Sequence, residues 1–183
     1  MGIYLLLIPV LIAAAAVLLY NSLVRLRNSS EEAFSTMDVY MKKRYDLVPN
    51  LVNSVKGYAS HEKETLQRVV EARNSAMGTA SLDQRQQSEN MLSGALKSLF
   101  ALSEGYPDLK ADRQFLDLQT QLQKIEQDIA QSRKYYNAVV RELNTKVEAF
   151  PSNIIASLFK FKKAQFFTMD ESDRAPVEVR FGS

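Results

Sequence analysis

The chain has 183 residues, 46% hydrophobic and 24% charged, which is apolar enough for a packed core and excludes global disorder. A net charge of +2 is too small to argue for nucleic acid as the main partner, so no nucleic-acid partner is expected. With no cysteine, disulfides and thiolate metal sites are excluded as well.

Residues 3–20, IYLLLIPVLIAAAAVLLY, carry no charge and no strongly polar group. As a helix they extend about 27 Å, close to the hydrocarbon thickness of a bilayer. Tyr4 and Tyr20 bracket the run where interfacial aromatics belong. A cleaved signal peptide is the competing reading. No basic n-region precedes the stretch, and no bounded A-x-A-like site follows its alanines, so a retained anchor is expected over 1–24. Arg25 and Arg27 follow the span closely, with Lys42, Lys43 and Arg44 beyond. By the positive-inside rule this places the bulk of the chain in the cytoplasm, as a single-pass protein.

Beyond the anchor, apolar residues recur in steps of three and four from Phe34 through Met37, Met41, Tyr45, Val48 and Val52 to Ala59. That spacing predicts one helix over about 22–58, continuous with the span. Pro49 lies within it and predicts a kink, because its ring crowds the carbonyl of Tyr45 and it has no N–H to donate. Ser60 is the expected N-cap of a second helix that stops at Gly78, and GTASLDQRQQ reads as a polar loop. A third helix carries Leu92, Leu96 and Leu99 and stops at EGYP. A fourth runs from Asp108 to Phe150 on a stripe that includes Phe115, Leu122, Ile129 and Leu143. PVEVRF alternates but is too short and isolated to build a sheet. The expected fold is all-α: an N-terminal transmembrane helix, then an antiparallel four-helix bundle of two long and two short helices over 25–150.

That topology returns residue 150 to the membrane surface. The segment 151–183 begins with a basic, aromatic, amphipathic stretch, and Phe159, Lys160, Phe161, Lys162, Lys163, Phe166 and Phe167 are candidate membrane-interface residues with anionic lipid as partner. The alternatives are that it caps the helix pair or packs on a second subunit. Tyr40, Leu47 and Leu51 form a second apolar stripe on the first long helix and are candidate subunit-interface residues.

No catalytic constellation is present. His61 is the single histidine. HEKE lacks the second histidine of a zinc-protease motif, and a di-iron bundle needs two Glu-x-x-His motifs. There is no G-x-S-x-G elbow and no glycine-rich phosphate loop. The reading is a non-enzymatic protein with no cofactor, metal or catalytic residue. It is a self-assembling membrane scaffold or, alternatively, an adaptor for another protein or the lipid surface in envelope stress or membrane quality control.

YNSLVRLRN after the span, EAFSTMDVYMKKRYDLVPNLVNSVKGYASHE, EARNSA, YPDLKADRQFLDLQTQLQKIEQDIAQSRKYYNAVVRELN, PSNIIA and PVEVRF together resemble the LemA family. The resemblance covers nearly the whole chain and is weakest over about 78–88. It implies a bacterial, inner-membrane-anchored helical bundle, and it carries over no catalytic residue.

Overall fold

A computed structural model describes residues 2–79 and 81–168, with side chains from residue 7 onward. All regular structure among the described residues is helical. The helices are α1 (Gly2–Tyr58), α2 (Lys63–Met77), α3 (Leu82–Ser103), α4 (Pro107–Ala111), α5 (Arg113–Glu148) and α6 (Ser152–Leu158). The PVEVRF stretch and the side chain of Tyr4 lie outside the described residues.

α1 is a single helix of 57 residues, so the apolar stretch and the first long helix are continuous. Its N-terminal part is long and apolar enough to cross a membrane, and its side chains there are exposed. The helix passes through Pro49 uninterrupted, with the proline on an exposed position. The missing N–H has a visible consequence. Tyr45, four residues earlier, would normally accept from residue 49. Its carbonyl instead accepts from Arg73 Nε of α2 at 3.0 Å.

Two boundaries differ from expectation. Most of the supposed polar loop is helical, because α3 begins at Leu82 and Ser81 Oγ accepts from the Gln84 amide at 3.3 Å. The supposed fourth helix is two, since Asp112 leaves helical geometry and caps α5, accepting the Phe115 amide at 2.8 Å. α2 also starts later than Ser60, at Lys63. The turn before it leaves His61 exposed.

The chain separates into two compact units. One comprises residues 1–44 and 122–166, the other 45–121 with 167 onward. These boundaries fall within α1 and α5. In the second unit, Val69 of α2, Leu92, Leu96 and Leu99 of α3, Leu109 of α4 and Phe115 of α5 are buried. The rings of Phe100 and Phe115 meet at 6.1 Å. Tyr58 Oη donates to Asp112 Oδ2 at 3.0 Å, and Tyr106 Oη to Glu62 Oε1 at 3.1 Å. Each bond to a carboxylate raises its phenol's pKa. The Asp112 carboxyl is held below its ordinary value, first by the Phe115 amide and then by Tyr58.

Candidate membrane-interface site

The unit containing the apolar stretch ends in a hairpin of α5 and α6. Ser152 closes the end of α5, its hydroxyl within 2.6 Å of the Lys146 carbonyl and 2.9 Å of the Ala149 carbonyl. This satisfies carbonyls that a helix end leaves without partners. The Phe150–Pro151 peptide is cis. α6 then packs its small face inward, and Leu23 of α1, Leu143 of α5 and Ala156 of α6 form a buried cluster, with Ile155, Val147 and Phe161 against it.

α6 ends in a Schellman arrangement. The Phe161 amide donates to Ala156 O at 2.9 Å and the Lys160 amide to Ser157 O at 3.2 Å. The first residue past the helix end in this motif takes a left-handed backbone, and Lys160 supplies it with φ of 58°. The extended segment that follows is held by one side chain. Asn144 Nδ2 donates to Ala164 O at 2.9 Å, and the Ala164 amide returns a bond to Asn144 Oδ1 at 2.8 Å. Tyr136 Oη adds a bond to Gln165 O at 2.8 Å. Burial raises the Tyr136 phenol's pKa.

The candidate interface residues therefore part company. Phe159, Lys160, Lys162, Lys163 and Phe166 are exposed, and Lys163 pairs with Glu148. Tyr20 is partly exposed, its ring centroid 4.7 Å from that of Phe159 and 5.8 Å from that of Phe161. Phe161 turns inward onto the Leu23 cluster, with the Arg27 guanidinium 5.5 Å from its ring centroid. Phe167, at 2% exposure, is a buried residue and faces no lipid.

The expected subunit stripe also fails. Leu51 is fully buried and Leu47 is 8% exposed, so both are spent within the chain. Tyr40 is half-buried under Lys43, whose Nζ lies 5.0 Å from its ring centroid. A second apolar stripe beside the first widened the face that α1 buries in its own core.

Sequence reasoning missed four residues that organise these units. Arg44, counted in the sequence only as a positive charge beyond the span, is 2% exposed and reaches Glu126 Oε1 of α5 at 2.7 Å. Glu89 is buried and accepts from Tyr45. Arg73 and Asn144 serve backbone groups far away in sequence, which no local pattern signals. Among the described residues, no three His, Asp or Glu side chains converge as a metal site would require.

These features define a class: an all-α protein whose N-terminal helix can cross a membrane and continues into a packed domain. The chain belongs to the LemA family, whose family model matches residues 33–181. It is 27% identical to Protein LemA of Metamycoplasma hominis, an alignment that covers 87% of this chain and 73% of that protein. It is 25% identical to Magnetosome protein MamQ 2 of Paramagnetospirillum magneticum, over 90% of this chain and 70% of the relative. Magnetosome protein MamQ of Magnetospirillum gryphiswaldense is 23% identical, over 86% and 68%. None of these names is that of an enzyme. Family and helix together fit a membrane protein.

Proposed function

We propose that the protein is a non-enzymatic, single-pass scaffold of the bacterial inner membrane, with an antiparallel four-helix bundle on the cytoplasmic side that assembles with copies of itself. The supporting observation is the unbroken α1, which fixes the folded domain to the apolar stretch with no linker between them. A platform needs that stiffness, whereas a tethered enzyme does not. Arg25 and Arg27 support the cytoplasmic orientation. With Leu47 and Leu51 buried, the apolar groups left for self-association beyond the span include Val39 of α1 and Tyr135 of α5, both exposed.

The test is the mass of the full-length protein in nanodiscs across a dilution series. A discrete, concentration-independent multimer is the expected result. Because the chain has no cysteine, Val39→Cys and Tyr135→Cys are unique crosslinking points, and each should trap that multimer. A monomer at every concentration would reject self-assembly and shift weight to an adaptor role. That second reading is favoured by an open apolar groove of about 350 Å³ between α1 and α2, lined by Val52, Leu66 and Val70, with Lys56 and Lys63 at its edge. The groove suits the apolar face of a partner helix with acidic neighbours.

A further inference from the structure

α6 is built inside out. In water, a packed helix turns its large apolar side chains toward the core and its small or polar ones outward. Here Ser152 and Ala156 are buried, while Ile154 is 57% and Leu158 70% exposed. Phe150, in the turn leading into the helix, is 81% exposed. Phe159 follows directly and is exposed too. Four large apolar groups within ten residues thus face outward, while the residues that α6 itself buries are the small Ser152 and Ala156, with Ile155 partly buried against the Leu23 cluster.

Their position explains the inversion. Leu19, the penultimate residue of the apolar stretch, lines a shallow pocket with Ala149, Phe150, Pro151 and Ser152. The Tyr20 ring packs at a tilt against that of Phe159. The outward face of α6 is therefore continuous with the end of the exposed apolar helix, at the level where interfacial aromatics belong. Lys160, Lys162 and Lys163 follow immediately and are exposed. Lys160 occupies a left-handed position that glycine would fill without strain.

We propose that α6, with Phe150 and Phe159, is an interfacial foot. It lies in the boundary between headgroups and acyl chains of the leaflet from which the folded domain emerges, and Lys160 and Lys162, beside the Lys163–Glu148 pair, face anionic lipid headgroups. The proposal rests on reading residues 3–20 as a membrane span and is independent of self-assembly.

The test uses the full-length protein in nanodiscs of zwitterionic lipid, with or without anionic lipid, each containing lipids with a quencher at shallow or deep positions. Fluorophores are placed one at a time by Leu11→Cys, Ile154→Cys, Leu158→Cys and Ser98→Cys. The expected result is deep quenching at 11, shallow quenching at 154 and 158, and none at 98. Quenching at 154 should strengthen with anionic lipid and lose that gain when Lys160, Lys162 and Lys163 are replaced by glutamine. If 154 and 158 are quenched no more than 98 while 11 is quenched, the span reading stands and the foot is overturned. An absence of quenching at 11 would sink the span reading, and the foot with it. Crosslinking through 154 to a second copy, without lipid quenching, would assign the face to assembly instead. Quenching that ignores anionic lipid would overturn the role given to the lysines.

Discussion

In the unit built on residues 45–121, the large apolar residues Leu92, Leu96, Leu99 and Phe115 are turned inward, and exposed ones such as Met77 and Met91 are scattered. In the unit carrying the apolar stretch, the closing helix does the reverse, with serine and alanine inside and isoleucine and leucine outside. Both arrangements would obey one rule, that apolar area goes where water is not, with α6 at the membrane interface as proposed. Scattered apolar exposure is ordinary on a water-facing surface. A concentrated apolar row over buried Ser152 and Ala156 is what the proposed interfacial foot would require.

Two phenylalanines give the largest predicted contrast. Phe115→Ala removes a ring that is 1% exposed, and should lower stability by about 3–5 kcal/mol, read by denaturant unfolding in detergent. Phe150→Ala removes a ring of the same size and should change unfolding by less than about 0.5 kcal/mol, because nothing in the core leans on it. If the two costs were similar, the distinction between the units would fail.

The next effect concerns Pro49. Arg73→Met removes the guanidinium that bonds the Tyr45 carbonyl, for which Pro49 supplies no helical N–H, at a cost of about 1.5–3 kcal/mol. Pro49→Ala restores the backbone donor, so Arg73→Met should cost clearly less in that background. A double-mutant cycle measures the coupling, and additive costs would show that the guanidinium does not substitute for the missing N–H.

A smaller effect is expected at Asn144. Asn144→Ala strands both the amide and the carbonyl of Ala164, and should cost about 1–2 kcal/mol. Hydrogen exchange should quicken around residues 161–166 and leave α2 and α3 unchanged. Exchange rising equally in both units would show that the pair supports the whole molecule rather than one segment. The smallest effect should be a gain. Lys160→Gly removes left-handed strain and should stabilise by roughly 1 kcal/mol, measured as a higher melting temperature. A loss of stability there would mean that the lysine makes contacts outweighing its backbone strain.

Periodicity made the helices legible, because apolar steps of three and four are a property of the local chain. The membrane-length apolar run and its continuity with α1 were equally plain. The break at Asp112 was missed because Leu109 and Phe115 sit on both sides of it and read as one stripe, although an aspartate three residues before a buried aromatic is a usable cap signal. α3 began earlier than expected because its first turns are polar and only Ser81 marks the start. At the candidate site, composition found the basic and aromatic residues but not their directions. Phe161 turns inward onto the Leu23 cluster while Asn144 and Tyr136 hold the backbone that follows it, and such long-range bonds leave no trace in a sequence window. Leu47 and Leu51 were offered to a second subunit because the sequence does not say how many neighbours α1 has.

Between Tyr20 and Leu23, α1 has no glycine, proline or turn, and Leu23 is locked against Leu143 and Ala156. With residues 3–20 in hydrocarbon, the helix is an axle with no free play. A thinner bilayer tilts a span that has become too long for it. That tilt must carry α6 along, sinking or lifting Ile154 and Leu158 in the leaflet. Bilayer thickness would then be a mechanical input, registered as the angle of the protein on its membrane. The depth of a label at Ile154→Cys in discs of short and long acyl chains measures it, and a depth independent of chain length would show that the axle slips.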